Sequence, residues 1–498
     1  MQSTPASPSL LRSGALSLVT SAAPLVIALV ALPLLTRQLG TERLGLLALA
    51  WAWLSYATLL DFGLGRALTR LVAASDAGES LTAPIGAMVS TAHVLLTVVG
   101  AIVGVLGAIL APWYVGHALH VSASFRDDAL FSAIIFALTV PAVTGASVPR
   151  AVLEARQRFR DVNLIRLPVN IGTFAVPVLL LPFTTSLTAI AVTLAALRGW
   201  AWWQYATVAR RSMPTQGDDA PSARHLRPLL RTGAWMTVSN VLNPLMTVAD
   251  RFLIGSLVSV SAVALYAVPW EAITKLLIVP GAVTMVLFPA VSRAAVADRT
   301  QLIPLYGASL RLVGVLVIPA CAVASLFAPW LLLLAGGVEY RDDSATVLQI
   351  LSVGVAANGL AAVPYSLLQA SGRARWTATL HLVEVVPFLV LLWFAVHRWG
   401  IAGAAAAWTI RVVIDAVLMA WCAQAVAPLH TRALLFHATG VVAVATCGWV
   451  GGTGEGTGVL LVGAGLLATV VPCISWRSRS AAERLVLGTL QHNGRVEG

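Results

Sequence analysis

Residues 59–70 read LLDFGLGRALTR and close an apolar run that begins at Leu44. The run ends on a carboxylate, two glycines and two arginines four positions apart. A helix of about 20 apolar residues crosses the hydrocarbon of a bilayer. Counting that far from Leu44 sets Asp61 at the interface and Arg66 and Arg70 at headgroup depth. Residues four apart share a helix face, so both guanidinium groups can meet anionic lipid together. Gly63 and Gly65 allow a neighbouring helix to come close. The stretch therefore reads as the cytoplasmic mouth of a transmembrane helix.

The whole chain agrees with that reading. Of its 498 residues, 58% are hydrophobic and 11% charged, and the mean hydropathy is +0.85. Soluble domains carry about 25% charged residues, so water cannot solvate the surface this composition implies. Only helices or a closed barrel satisfy their backbone inside a bilayer. The apolar runs are long and unbroken rather than alternating over ten residues, so the expected fold is an all-α polytopic membrane protein. Fourteen transmembrane helices are expected, at roughly 14–36, 44–64, 84–111, 130–149, 164–183, 187–208, 233–257, 263–291, 304–334, 345–370, 380–396, 401–424, 433–450 and 458–474. Pro141, Pro177, Pro280, Pro319 and Pro387 lie inside these runs, where they mark candidate bends.

The net charge is +11, carried by 31 arginines and the single Lys275. These charges punctuate the apolar runs, which suits the positive-inside rule and anionic lipid and not nucleic acid. With the N-terminus placed in the cytoplasm, 23 basic residues fall inside, 5 outside and 4 within the membrane. The even helix count then returns the C-terminus to the cytoplasm. The opening residues MQSTPASPSLLRSG lack the charged region of a signal peptide, so the first apolar run is expected to remain as a membrane helix. Cys321, Cys422, Cys447 and Cys473 all lie in apolar runs without metal-ligand or disulfide spacing. No metal and no resident cofactor are expected.

The chain repeats itself. LLRSGALSLVTS from Leu10 matches LLRTGAWMTVSN from Leu229 at six of twelve positions, an offset of 219. LEARQRFR from Leu153 lies over LQASGRAR from Leu368, an offset of 215. The last helices of the two sets align at an offset of 213, which places Arg198 on Arg411. Six helices per copy give both copies the same membrane orientation, as in two-lobed transporters. The expected organisation is an N-lobe over 1–212, a polar linker over 213–228, a C-lobe over 229–424, a helix pair over 425–476 and a basic cytoplasmic tail over 477–498.

Ionisable residues near the middle of a span are costly and mark function. Arg198, Glu271, Lys275, Glu384, Arg411 and Asp415 lie there, with His93 and His381 as neutral titratable groups. Glu271 with Lys275, and Arg411 with Asp415, stand at i,i+4 and can neutralise each other. Arg198 has no acid on its own helix and needs a partner from elsewhere. Asp250 and Arg251 read as an interfacial pair near the end of the seventh helix.

The span LLTRQLGTERLGLLALAWAWLSYATLLDFGLGRALTRLVA, residues 34–73, resembles the polysaccharide repeat-unit (Wzx-type) flippases of the MOP exporter superfamily. The resemblance rests on Arg37, Leu39, Gly40, Gly45, Leu46, Asp61, Phe62, Gly63, Leu64 and Arg66, on ARQRFRDVN before the fifth helix and on WGIAGAAAAW opening the twelfth. It covers about residues 10–424; the scarcity of lysine is a departure from the family's usual look. It implies two pseudo-symmetric six-helix lobes in a V shape, with alternating access. The implied cargo is a polyprenyl-pyrophosphate-linked oligosaccharide, carried from the cytoplasmic to the outer leaflet of the bacterial inner membrane. Arg198, Arg411, Lys275 and Arg251 are then the candidate headgroup cations, because guanidinium forks suit phosphate. Arg66 and Arg70 are the candidate site where the pyrophosphate is captured. Asp61, Glu271, Glu384 and Asp415 are candidates for coupling to an H+ or Na+ gradient or to the membrane potential. Implied partners are membrane lipids, a polysaccharide polymerase and glycosyltransferases.

Rival functions are a lipid-linked peptidoglycan-precursor flippase and a multidrug or cation antiporter of the same superfamily. A membrane glycan polymerase or glycosyltransferase fits less well. The largest outer loop, near 112–128, is too short for a catalytic domain and holds no paired-carboxylate arrangement facing a metal motif. No Walker A motif is present, so direct use of ATP is not expected, and the transport expected here is not an enzymatic step.

Overall fold

Inside hydrocarbon a backbone amide has no water to bond, so it must close its hydrogen bond within its own segment. In the computed structural model, all regular structure among the described residues is accordingly helical. The structure describes residues 8–61, 64–76, 84–212, 246, 248–297, 299–429 and 431–453. Every expected apolar segment with described residues carries helix; the segment 458–474, the stretch 213–228 and the tail 477–498 lie outside the described residues. Among the described residues, seven helical stretches are long and apolar enough to cross a membrane. The helix Leu187–Ser212 is not one of them: Arg198 and Gln204 interrupt its apolar run.

The chain forms two compact units, Met1–Ala264 and Leu265–Gly498. Their boundary lies inside the helix Val260–Thr274, downstream of the polar stretch 213–228.

The first unit contains α1 (Pro8–Ala57), α2 (Leu64–Asp76), α3 (Ile85–Trp113), α4 (Arg126–Leu138), α5 (Val140–Ala155), α6 (Phe159–Leu180) and α7 (Leu187–Ser212). Helix α5 packs on α2, α3 and α7, while α6 packs on α1 and α7. Lipid tails are as apolar as leucine, so close backbone approach rather than hydrophobic expulsion joins such helices. Gly100 and Gly104 supply it: a Cβ at Gly104 would lie 2.7 Å from the Ala137 carbonyl oxygen, and one at Gly100 would lie 2.9 Å from Pro141 Cα. Pro141 lacks the amide that would bond the preceding turn, and the helix is interrupted beside it, at Thr139. Gly65 lies against Asp61 and Ala151, and Thr69 Oγ1 donates to the Ala151 carbonyl at 3.3 Å.

Polar ties hold the ends of this unit. The Asp128 carboxylate accepts from Ser186 Oγ (2.8 Å), Leu187 N (2.8 Å), Thr188 N (2.9 Å) and Thr188 Oγ1 (2.7 Å). It thereby satisfies amides that the first turn of α7 leaves open. Glu42 accepts from Ser122 N at 2.6 Å and Oγ at 2.9 Å. At the opposite end Arg156 forks onto Asp76, with both contacts at 3.0 Å.

The second unit holds most of α8 (Val260–Thr274), then α9 (Ile278–Ala297), α10 (Leu302–Leu326), α11 (Ala328–Gly336), α12 (Asp343–Ala370), α13 (Ala374–Gln424) and α14 (Thr431–Thr453). Helix α12 is central, packing on α9, α10, α13 and α14. A continuous 51-residue helix would be about 77 Å long, far more than the bilayer's hydrocarbon. Gly400 breaks α13 with φ 56° and ψ −134°, a conformation open essentially to glycine alone. The chain folds back there, since Glu384 and Arg411, on either side of the break, are 3.5 Å apart.

The same turn occurs in both units at positions that the sequence repeat equates. After α5, Arg158 N donates to the Leu153 carbonyl (2.9 Å) and Gln157 N to the Glu154 carbonyl (3.0 Å). After α12, Arg373 N donates to the Leu368 carbonyl (2.9 Å) and Gly372 N to the Gln369 carbonyl (3.2 Å). Each is a Schellman cap, which needs one left-handed residue. Gly372 provides it at φ 77° without strain, whereas Gln157 adopts φ 55° with a side chain attached. A left-handed non-glycine residue costs about 1–2 kcal/mol. Gln157→Gly is therefore expected to stabilise the protein by about 1 kcal/mol and Gly372→Gln to destabilise it by a similar amount. Thermal unfolding of the purified protein in detergent checks both signs.

Candidate functional site

The charged residues expected near mid-span fall into distinct local settings. In the second unit, α13 folds back on itself and brings four titratable side chains together. Arg411 Nε lies 3.5 Å from Glu384 Oε2, and the two side chains are 8% and 9% exposed. His381 Nε2 lies 3.8 Å from Asp415 Oδ1. The Tyr365 ring stacks on the His381 ring at 6.0 Å, and the Arg411 guanidinium lies 5.7 Å from the centre of the Phe388 ring. The i,i+4 pair expected between Arg411 and Asp415 is thus replaced by pairs across the hairpin. The reversal at Gly400 is the reason, because it sets Glu384 level with Arg411 and His381 level with Asp415. With His381 neutral, this quartet carries a formal charge of −1.

Glu271 and Lys275 form the expected i,i+4 pair, with Nζ to Oε2 at 2.7 Å. Lys275 opens a short 3-10 turn, Lys275–Leu277, just ahead of Pro280. Pro280 has no amide to return to residue 276, and the tighter turn accommodates that loss.

In the first unit, Asp250 is 0% exposed and Arg251 6%. The pair is enclosed by the protein, with Arg251 N donating to Asp250 Oδ1 at 2.7 Å. Asp61 ends the turn Thr58–Asp61, with Oδ2 3.2 Å from where a Cβ on Gly65 would lie. The backbones of Arg66 and Arg70 lie on α2, one turn apart; their side chains lie outside the described residues, as do Phe62 and Gly63.

Arg198 differs from the others. It is half-buried on α7, and among the described residues its guanidinium makes no hydrogen bond or ion pair, with Nη1 fully enclosed. One turn further along, Trp202 Nε1 also lacks a hydrogen-bond partner among the described residues. The Trp202 ring lies 6.0 Å from the His93 ring, and Nε1 lies beside Gly145, where a Cβ would approach to 2.9 Å. Thr97 Oγ1 flanks the same glycine.

Sequence spacing missed two of these features. The Glu384–Arg411 pairing needs the register of an antiparallel hairpin, which the reversal at the tryptophan–glycine pair Trp399–Gly400 could have supplied. The bonding of Asp128 to the start of α7 left only a weak signal, an acid at a helix start. Among the described residues, no group of three or more His, Cys, Asp or Glu side chains is placed to hold a metal ion.

Removing one partner of a buried ion pair leaves a charge stranded, at a cost of about 3–5 kcal/mol, whereas replacing both by apolar groups is close to neutral. Glu384→Ala is therefore expected to destabilise the second unit strongly. Glu384→Leu combined with Arg411→Met is expected to recover most of that loss. A double-mutant cycle read by thermal unfolding measures the coupling.

Residues 10–295 match the family described as polysaccharide biosynthesis protein. A Shigella flexneri protein, whose name provisionally assigns it O-antigen transport, is 29% identical over 418 residues. That match covers 83% of this chain and 97% of the relative. Among solved structures, the lipid II flippase MurJ in an inward closed conformation superposes with a TM-score of 0.71 at 10% identity, covering 92% of this chain and 97% of that one. An inward-facing multidrug resistance MATE family transporter of the MOP superfamily gives 0.62 at 15% identity, covering 84% and 95%. At such identities the two structures speak for the fold alone: a helical, multi-pass membrane protein with a MOP-type transporter architecture. The span matched by the family includes the Asp61–Arg66 mouth, the Schellman cap at Gln157 and Arg198, and on this match the chain belongs to the polysaccharide biosynthesis protein family.

Proposed function

We propose that this protein is a flippase that carries a polyprenyl-pyrophosphate-linked oligosaccharide from the cytoplasmic to the outer leaflet of a bacterial inner membrane. The observation that carries this reading is the Shigella flexneri relative, matched over 97% of its length and named for O-antigen transport. The transporter fold and the family membership point the same way. Such a cargo has an anionic head, a polar glycan and an apolar tail. Moving it needs cations and polar groups inside the protein but no covalent step.

In this proposal both termini are cytoplasmic, and Arg66 and Arg70 capture the pyrophosphate at the membrane surface. Lys275 and Arg251 assist the headgroup; each already has local contacts within the protein. Alternating access exposes the site to one side and then the other. Coupling to a cation gradient falls to Glu384 and Asp415, whose quartet carries an excess negative charge, with Asp61 and Glu271 as further groups. Glycosyltransferases and a polymerase act before and after the transport step.

Reconstitution tests the proposal. Proteoliposomes loaded with a fluorescent polyprenyl-pyrophosphate oligosaccharide are expected to show protein-dependent crossing, read by protection from an external glycosidase. Transport of a lipid-linked peptidoglycan precursor or a cationic dye, but not of this cargo, would reassign the protein. In a flippase-deficient strain, Arg66→Glu is expected to cut polymer export at least tenfold while the protein still inserts. Loss of insertion would make Arg66 a topology anchor instead.

A further inference from the structure

Near one end of the first unit, three helices that touch at a glycine draw apart. A Cβ at Gly107 would lie 3.2 Å from Ala137 Cβ and 3.3 Å from Trp53 Cζ2, so α3, α4 and the second half of α1 meet there. Beyond Gly107 the facing residues stay small: Ala50 on α1, Ala111 on α3, and Ala129, Ser132 and Ala133 on α4. The backbones do not close up on them, and a cavity of about 310 Å³ remains. Helix α3 ends beside it in a π-helical turn, Tyr114–Ala118, closed by Leu119 N donating to the Tyr114 carbonyl at 2.8 Å. Turns of this kind are rare and occur frequently at functional sites.

The walls of the cavity are apolar, with Leu46, Leu49, Phe136 and Phe252 among them. The polar atoms of the lining side chains are spent or enclosed. Ser132 Oγ donates to the Ala129 carbonyl at 2.9 Å, and Trp53 Nε1 and Tyr114 Oη are shut in by protein. The loop after α3 covers one end with Val115 and Leu119. That loop is tied down by the Glu42 carboxylate on Ser122 and by the Arg43 guanidinium, 4.4 Å from the centre of the Phe125 ring. The side of the cavity is different. Of the lining residues, only Leu110 and Trp113 are more than half exposed, at 57% and 60%. They border the face of α3 formed by Ile102, Val105, Leu106 and Ile109, all exposed and all apolar. A contiguous apolar face on a membrane helix lies against lipid, so the cavity opens toward hydrocarbon.

Protein interiors are close-packed, with few voids larger than a water molecule. An apolar cavity of about 150 Å³ stays dry and takes up benzene. This one has roughly twice that volume and walls of the same kind. We propose that it binds the end of an acyl chain of a membrane phospholipid, which enters past Leu110 and Trp113. The mouth decides the occupant. Water and free solutes meet the covered end, whereas acyl chains lie against α3 at all times and in large excess, so mass action fills the site with them. A polar or charged ligand finds no free partner in the walls. The helices converge again at Gly107, so the cavity takes a chain end and leaves the headgroup outside, at the level where interfacial tryptophans such as Trp113 sit. The bound chain fills the gap between α1, α3 and α4 and joins the loop above it to the bilayer. This inference rests on membrane embedding and not on the identity of the cargo.

Photolabelling tests the site. The purified full-length protein is placed in nanodiscs containing phosphatidylethanolamine with a diazirine at the end of one acyl chain, irradiated, digested and mapped by mass spectrometry. Adducts are expected on Leu49, Ser132 and Phe136, which are 6%, 6% and 3% exposed and out of reach of lipid on the outer surface. Ala50→Leu and Ala133→Phe each fill the space. Each is expected to cut those adducts at least fivefold, while adducts on Ile102 and Ile109 change less than twofold. Thermal unfolding in detergent checks that both variants fold; if neither does, the wild-type map alone decides. Wild-type adducts confined to the exposed face of α3 overturn the site, as do cavity adducts at the wild-type level in either filled variant. A second set of nanodiscs carries the diazirine at the end of a polyprenyl phosphate. Cavity labelling by that probe and not by the phospholipid gives the site to a prenyl tail and overturns the acyl-chain proposal.

Discussion

A membrane-embedded chain must satisfy its own polar groups, because hydrocarbon offers them nothing. This constraint sets the backbone of the protein as helix and governs its side chains as well. Asp128 closes the open amides of α7, Glu42 ties Ser122, and Arg156 forks onto Asp76. Each tie lies at the end of a helix or, for Glu42, just past the break that Gly40 makes in α1 at φ 77°, where amides and carbonyls lack intrahelical partners. The apolar middle needs few such ties, and glycines at close helix crossings do the joining there. At two of the charges inside apolar runs the protein supplies a local counter-ion, Glu271 for Lys275 and Glu384 for Arg411.

Much of this was legible in the sequence for physical reasons. Apolar runs of spanning length allow only one backbone solution, and the run after Leu44 announced it. The internal repeat was legible because duplicated sequence keeps its turns, and the caps at Gln157 and Gly372 match bond for bond. Other features were hidden. Gln157 gives no hint of its left-handed backbone, since glutamine is not chosen for that conformation; only its alignment with Gly372 betrays it. The partner of Arg411 was misjudged because spacing along one helix is visible in sequence, whereas the level of a residue across a hairpin is not. Counting along the chain gives Arg251 a level in its helix but not its surroundings, and tertiary packing buries it.

The sequence repeat places an arginine with a counter-ion, Arg411, opposite one with no ion pair among the described residues, Arg198. Two copies folded by the same rules start with the same demands at equivalent positions. Each can then meet the demand differently without disturbing the other. In the second copy the answer is a carboxylate on the opposite arm of α13, 3.5 Å from the arginine. In the first copy, valine and tryptophan (Val169 and Trp202) occupy the positions where acids stand, and the residues around Arg198 remain donors. The fold is common to both, and the side chains around the shared arginine differ at three positions.

The single-residue reversal at Gly400 has a mechanical meaning. A long loop would let the two helices it joins twist or slide independently. One glycine leaves no slack, and the cross-hairpin contacts of Glu384 with Arg411 and His381 with Asp415 fasten the pair again near mid-length. Pinned at the tip and at the waist, the two arms of α13 share one register: neither can slide along the other without breaking these contacts.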